Sequence, residues 1–434
     1  MENTPDILEE KIQEIERIGA LMNAPSWLIE ELKHFKRVYE LGFRAPVGGE
    51  LKHFTTYVVL HKNPFSSGDF PFKGGTRFHP GVTLPLLKML AIEMTEKSAL
   101  AGLPLGGAKA GMAIDPSVYE ENVLRTIVDK RTEELLKAKI IDPYYYSPGP
   151  DVGTNAKTMY WMYNKIAESN LMLTHGVNAA ACVSGKPIEH GGIPGREYST
   201  AYGLLLQLRK FIELSGIKLS AKPTMAIQGF GNVGGNVALF APKSQFGFKV
   251  VAVSDKDGGL YNPRGLDTGK LKAWHESKKT LKGFPGTENI TNEELLALKV
   301  DILVPAALEN QIHKDNAHRV LAKIVYEGGN QTVHADAYPI LDSRKVSVIP
   351  GIAANVGGVI VSFLEWRINL SDRTHEVDRE EQEKWVLKEL EKIMHKIIVK
   401  IVAKSEERKI SFVDSAHVLA MEAVWKRFKE KHSY

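Results

Sequence analysis

What the chain lacks narrows its class before any motif is considered. Cysteine occurs once in 434 residues, as Cys182, so an internal disulfide framework is excluded and a reducing compartment is expected. Cys182 reads as a small core residue rather than a nucleophile. No apolar run approaches the roughly 20 residues that span a bilayer. The acidic, helix-like start, Met1 to Ile18, lacks the basic flank and apolar core of a secretory signal. A cytoplasmic location without a membrane partner is therefore expected. The formal net charge is only +4 and both signs are mixed throughout, which argues against a dedicated nucleic-acid binder. There is no repeat and no low-complexity segment. The 14 histidines show no metal-ligand spacing, and no metal is expected. Apolar content of 43% and charged content of 25% are those of a soluble globular chain, and the length calls for two domains.

What is present is a set of lysines in glycine-laden surroundings. Lys73 lies in Pro71-Phe72-Lys73-Gly74-Gly75-Thr76-Arg77, Lys97 in Met94-Thr95-Glu96-Lys97, and Lys109 in Pro104-Leu105-Gly106-Gly107-Ala108-Lys109-Ala110-Gly111. Two of the three are hemmed in by Gly, Ala, Leu and Pro, which give no solvated face and let backbone approach closely. A lysine so placed loses solvation, and it either serves as a base with a lowered pKa or holds an anion.

The coarse organisation follows from periodicity. Residues 1–40 read as helical, with a second helix around Trp27–Tyr39, and Lys52–His61 reads as a strand. Val82–Leu100 reads as a helix entered through Thr83 and Pro85, with Lys97 near its end. Lys109 then falls in a glycine-rich loop. The Tyr-Pro-Gly cluster before Asp151 is turn chemistry, so Asp151 is expected in a loop. The glycine- and proline-rich stretch from Ser184 to Arg196 is the expected inter-domain hinge. Beyond it, strands at Pro223–Gln228, Lys249–Ser254, Asp301–Pro305, Lys323–Tyr326 and Val346–Val348 alternate with helices, as in a doubly wound parallel sheet. Trp385, Leu387, Leu390, Ile393, Met394, Ile397, Ile398 and Ile401 mark one face of a long amphipathic helix. A last helix starts near Ser411, where Ser411 and Asp414 resemble a capping box.

Gly229-Phe230-Gly231-Asn232-Val233-Gly234 fits the GxGxxG pattern in its proper context. A buried strand precedes it, a helix follows, and Asp255 closes the next strand about 20 residues on. The glycines let backbone approach a pyrophosphate at a helix N-terminus. Asp255 suits the ribose of NAD, whereas Lys256 suits the 2′-phosphate of NADP, and the two remain balanced. A nicotinamide cofactor implies hydride transfer, and the lysines then surround the hydride donor. Lysines that bind carboxylates, one lysine base and one carboxylate suit an amino acid or the 2-oxo acid made from it.

These motifs resemble the glutamate dehydrogenases, within the glutamate/leucine/phenylalanine/valine dehydrogenase superfamily. The resemblance runs from about residue 40 to the C-terminus. It rests on Lys73-Gly74-Gly75-Thr76-Arg77-Phe78-His79-Pro80, Gly106-Gly107-Ala108-Lys109, Pro150-Asp151-Val152-Gly153-Thr154, Gly229 to Gly234, Glu327-Gly328-Gly329-Asn330 and Asn355-Val356-Gly357-Gly358-Val359, in that order.

The resemblance implies roles. Lys97 would grip the α-carboxylate. Lys73 and Ser362 would recognise the side-chain carboxylate of glutamate, with Val359 in the same substrate-binding set. Lys109 would polarise the carbonyl and activate water, and Asp151 would pass protons to and from the nitrogen. Thr200, Asn330 and Asn355 would contact the nicotinamide, with Ala306 and Ala307 lining the cofactor cleft beside Gly229, Phe230, Gly231, Asn232, Val233, Gly234 and Asp255. The implied fold is α/β with two domains. A substrate and oligomerisation domain would span 1–190 with 401–434, and a Rossmann-type doubly wound domain 191–400. The implied assembly is a homohexamer built through the first domain, with the two domains closing like a hinge. The implied reaction converts L-glutamate to 2-oxoglutarate and ammonium with NAD or NADP. The rivals are an apolar amino-acid dehydrogenase of the same superfamily and a non-catalytic dinucleotide-binding protein. Ala110, Gly149 and Ser199-Thr200-Ala201-Tyr202-Gly203 depart from the usual family pattern without removing a charged group.

Overall fold

The glycine run around Lys109, which reads as a loop, builds the central strand of a sheet instead. The computed structural model describes residues 7–64, 70–169, 178–371 and 378–431. Met1 to Asp6, part of the expected first helix, lie outside the described residues, and that helix runs over Ile7–Leu21. The chain divides into two compact units. The first comprises Met1–Arg196, Val359–Val386 and Ala420–Tyr434, and the second Glu197–Gly358 and Leu387–Leu419.

The first unit holds a five-stranded sheet of β1 (Arg37–Val47), β2 (Glu50–Leu60), β3 (Phe72–Phe78), β4 (Gly106–Met112) and β5 (Tyr146–Pro150), in the order β1-β2-β4-β3-β5. β3 runs parallel to β4 and β5, and β2 antiparallel to β1 and β4. Lys109 therefore sits within β4, every residue of which is buried, rather than in a loop. With little side chain to separate them, β3 and β4 pack closely and expose no edge, which is why a glycine run survives as strand here. The tyrosine-proline stretch before Asp151 is likewise the strand β5, and Asp151 begins the loop that follows. The helix expected over Trp27–Tyr39 stops at Lys33. Arg37–Val47 pairs with β2 along its whole length through the Gly48-Gly49 turn, burying Phe43 and Ala45. Pairing with a neighbouring strand outweighs the local helical pattern there. The helix Leu84–Leu100 starts as expected, with Thr83 Oγ1 accepting from the Leu86 amide, and Lys97 lies in its last turn.

The second unit holds β6 (Thr224–Gln228), β7 (Lys249–Asp255), β8 (Gly258–Tyr261), β9 (Glu288–Ile290), β10 (Ile302–Pro305), β11 (Ile324–Tyr326) and β12 (Ser347–Ile349), in the order β12-β11-β10-β6-β7-β8-β9. The first five of that order are parallel. β8 and β9 are an antiparallel addition that periodicity did not reveal. The order reverses between β6 and β10, so the carboxyl ends of those two strands form the topological switch point where ligands of such sheets bind.

Helices end the chain. Gly351–Leu370 is 20 residues long with a mean hydropathy of 1.2, so one stretch among the described residues is long and apolar enough to cross a bilayer, contrary to the expectation from sequence. It is 72% buried within the fold, the condition of a core helix. Compactness also moves Val359–Val386 into the first unit, although the sequence places 191–400 in one domain, and the return near the end comes at Ala420 rather than 401. The cause is polar. Ser362, Glu365, Trp366 and Asn369 on this helix bond to Arg196, to Gly185 and Lys186, to Pro143 and to Gly191. The helix Arg379–Arg408 buries Leu390, Met394, Ile397, Ile398 and Ile401 as expected, but Val386 is buried in place of Trp385, which is 40% exposed. Ser411 caps the final helix, Phe412–Lys431, by accepting from the Asp414 amide.

Candidate active site

Strand geometry gathers the charged residues of the first unit. Side chains alternate along a strand, so Lys73, Gly75 and Arg77 of β3 share one face. Gly75 faces Asp151, and Arg77 Nε donates to Asp151 Oδ2 at 2.7 Å. Lys109 Nζ donates to Asp151 Oδ1 at 2.7 Å. The Lys109 and Arg77 charges hold the Asp151 carboxyl well below the usual carboxylate range, against the effect of its burial. Burial is the largest influence on Lys109 and pulls its pKa down; Asp151 opposes this, and the cations of Arg77 and Lys97 add to the lowering. The result is a desolvated amine hydrogen-bonded to an ionised carboxylate, the arrangement of a base with a proton partner. Lys97 is buried and lies 3.6 Å from Glu93 one turn earlier on its helix.

Lys73 is held differently. Its Nζ donates to Ser184 Oγ at 2.6 Å, to Ser147 Oγ at 3.2 Å and to the Ser147 carbonyl at 3.3 Å. These acceptors are hydroxyl and carbonyl oxygens. Burial pushes this amine down to about 7, with Glu365 favouring its charge and Lys186 and Arg196 opposing it. Ser362 accepts a hydrogen bond from Arg196 Nε at 2.8 Å. Val359 is half-buried one helical turn before Ser362, hence on the same face.

Arg77, Ser147, Ser184 and Arg196 are the residues that sequence reasoning missed. Arg77 was legible, because a two-residue period from Lys73 reaches it once β3 is recognised as a strand. Gly75 carries a direct test. A Cβ there would lie 2.7 Å from Asp151 Cβ. Gly75→Ala is expected to displace the carboxylate and reduce kcat by about 10²-fold while the fold persists. Steady-state turnover beside circular dichroism checks this, and unaltered turnover would contradict it.

The second unit gathers the remaining candidates around its switch point. Gly229 directly follows β6 with φ +91°, and a Cβ there would lie 2.5 Å from the carbonyl oxygen of Ala306, the residue after β10. Ala306 and Ala307 thus border the glycine turn. Among the described residues beyond its chain neighbours, no atom lies within 4 Å of where a Cβ on Gly231 would stand. Gly231 precedes the helix Asn232–Phe240 without a side-chain cap, which leaves helix N-terminal amides for an anion. Phe230 is buried with its ring edge on His275, and Val233 and Gly234 continue into the helix. These residues fit the pyrophosphate of a dinucleotide.

Nearby in the same unit, Asn355 Nδ2 donates to the Gly329 carbonyl at 2.7 Å and to Asn330 Oδ1 at 3.2 Å. A Cβ on Gly357 would meet the Ser199 carbonyl oxygen at 2.4 Å and Thr200 Cα at 3.3 Å. Asn330 and Asn355 are thus in contact, and Thr200 lies against Gly357, two residues after Asn355. Asp255 ends β7, and its two carboxylate oxygens accept the Asp257 and Leu281 amides at 2.8 and 2.9 Å. Lys256 is exposed and pairs with Asp257 at 2.7 Å.

Known proteins resemble the chain over its full length. Residues 36–168 match the sequence model of the Glu/Leu/Phe/Val dehydrogenase dimerisation domain, and residues 191–431 match that of Glutamate/Leucine/Phenylalanine/Valine dehydrogenase. A glutamate dehydrogenase of Thermotoga maritima is 38% identical over 99% of both chains. An NAD-specific glutamate dehydrogenase A of Halobacterium salinarum is 34% identical over 96% of this chain and 91% of its own. A hetero-hexameric glutamate dehydrogenase from Thermus thermophilus, solved in a Leu-bound form, superposes with a TM-score of 0.89 at 29% identity, covering 100% of this chain and 99% of that one. A strand-borne lysine–carboxylate pair in one unit, a dinucleotide turn in the other and full-length relatives converge: the chain belongs to the glutamate/leucine/phenylalanine/valine dehydrogenase family.

Proposed function

We propose that the protein is an NAD(P)-dependent glutamate dehydrogenase, catalysing the reversible oxidative deamination of L-glutamate to 2-oxoglutarate and ammonium. The observation that carries the substrate is Lys73. A buried amine whose hydrogen bonds go to hydroxyl and carbonyl oxygens gains its charged form from an anionic partner. The side-chain carboxylate of glutamate supplies one, with Arg196 and Ser362 beside it and Val359 against the methylenes. An apolar substrate would leave the Lys73 amine without that partner, which disfavours the leucine, phenylalanine and valine activities of the same family.

The residues divide the work. Lys97 pairs with the α-carboxylate. Gly229 to Gly234 hold the pyrophosphate, Asp255 faces the adenosine ribose, and Ala306, Ala307, Thr200, Asn330 and Asn355 seat the nicotinamide end. A nicotinamide held there would supply the acceptor for the hydride of the α-carbon. Asp151, kept ionised by Arg77 and Lys109, accepts a proton from the substrate ammonium. Lys109 then takes a proton from water as its oxygen adds to the iminium carbon. Asp151 then returns its proton to the nitrogen, and Lys109 polarises the developing carbonyl while the leaving ammonia takes up the hydroxyl proton as ammonium. An intact Lys109–Asp151 pair also disfavours a non-catalytic dinucleotide-binding role.

A homohexamer assembled through the first unit, working in the cytoplasm, completes this reading. The lone thiol fits it: Cys182 lies in the core with its pKa pushed up to about 12 by burial, so it is inert. NAD and NADP stay equal candidates. The experiment is a set of steady-state oxidation rates with L-glutamate, leucine and phenylalanine, each with NAD and NADP. Glutamate should exceed both apolar substrates with at least one cofactor, and a preference for leucine or phenylalanine would overturn the assignment.

Lys73 also gives a pH dependence. Its amine is cationic below about 7 and neutral above, so it holds a carboxylate best on the acid side. The KM for 2-oxoglutarate is expected to rise by up to about tenfold per pH unit above that value. The KM for a monocarboxylic 2-oxo acid should stay flat. Parallel curves for the two substrates would contradict this.

A further inference from the structure

Behind the Lys73 site lies an ion pair that the proposed chemistry does not use. The side chains of Lys186 and Glu365 are each 0% exposed, with Nζ and Oε1 2.9 Å apart. The Gly185 amide donates to both Glu365 oxygens, at 2.9 and 2.8 Å. Lys186 Nζ donates in addition to the Ala180 carbonyl at 2.7 Å and to the Val183 carbonyl. The pair therefore clamps the residues on both sides of Ser184, whose hydroxyl is the shortest contact of Lys73. Glu365 also lies one helical turn after Ser362, on the same face, so one carboxylate ties the helix carrying Ser362 to the loop carrying Ser184.

We propose that the buried Lys186–Glu365 pair is the positioning element of the distal-carboxylate site, holding Ser184 against Lys73 and Ser362 against Arg196 and setting the electrostatic field there. A buried ion pair adds little net stability over apolar residues of the same volume, so stability does not account for one beside a substrate pocket. Its two members act on Lys73 with opposite sign. Glu365 favours the charged amine, whereas Lys186, together with Arg196, disfavours it. Neutralising one or the other should move the charge state of Lys73 in opposite directions, an outcome that a general loosening of the fold does not produce.

The inference rests on the reading that Lys73 binds the distal carboxylate, and the test separates the two. KM and kcat are measured for 2-oxoglutarate and for the monocarboxylate 2-oxovalerate, from about pH 6 to about pH 9. Glu365→Gln should shift the pH at which the 2-oxoglutarate KM rises down by about one unit, a rise of about tenfold in KM at fixed alkaline pH. Lys186→Met should shift it upward, and the double variant should return it towards the wild type. Glu365→Asp keeps the charge but falls one methylene short, and should raise that KM with the midpoint unmoved. This variant carries the test if the neutral ones fail to fold. The 2-oxovalerate KM should stay within about twofold throughout, because no distal carboxylate is present to lose. Shifts of the same sign in the two neutral variants, equal effects on both substrates, or an unmoved 2-oxoglutarate KM in Glu365→Asp would overturn the proposal. If the wild type itself does not prefer 2-oxoglutarate over 2-oxovalerate, the reading of Lys73 fails instead.

Discussion

Lys109→Ala is expected to reduce kcat by about 10⁴-fold, the upper range for loss of a general base, with little change in KM for either glutamate or the cofactor. Lys109 is 3% exposed and sits in the middle of the sheet, so water does not readily replace its amine at the same position. Its bond to Asp151 orients the carboxylate together with a bond from Arg77. Removal therefore abolishes the base and unbalances its partner at once. Lys109→Arg should not rescue activity, since a guanidinium stays protonated at any working pH. Asp151→Asn should show a comparable loss, and the double variant should be scarcely worse than either single one, because the two act as a unit. Retention of a tenth of wild-type turnover by Lys109→Ala would remove this residue from the chemistry.

Lys73→Leu is the second large effect. Loss of a buried charge facing a carboxylate costs roughly 3–4 kcal/mol, or about 10²- to 10³-fold in kcat/KM. The loss should fall on L-glutamate. Oxidation of norvaline or leucine should be spared or improved, since the substituted side chain would present methyl groups where the amine stood. Backbone changes are not expected, because β3 is paired on both sides, to β4 and to β5. Equal losses on every substrate would show that Lys73 supports the site without selecting its ligand.

These residues were legible in the sequence to different degrees. Lys73 and Lys109 stood out as charges among glycine, alanine, leucine and proline, whereas Lys97, which reads alone as a solvated helix residue, and Asp151, which reads alone as a turn-former, were legible only through the joint fit of all four to one set of roles. The glycine turn was legible because a buried strand precedes it and a helix follows. The strand identity of Gly106–Met112 was not, since local propensity disfavours glycine in strands and only tertiary pairing reverses that. Ser147 and Ser184 were not legible either. They reach Lys73 across strand register and a distant loop, and nothing in their local sequence marks them. Grouping of Val359–Val386 with the first unit depends on side-chain bonds from one helix to residues far away in sequence, which periodicity cannot report.

On the proposed reading the chain reductively aminates a dicarboxylate 2-oxo acid. The most direct measurement is the oxidation of NADH and of NADPH by the purified protein, with 2-oxoglutarate and ammonium supplied together and each left out in turn. Oxidation that requires both, and that runs faster with 2-oxoglutarate than with the 2-oxo acids of leucine or phenylalanine, is the predicted result. No oxidation with either nucleotide, or a faster rate with the apolar 2-oxo acids, would contradict the account.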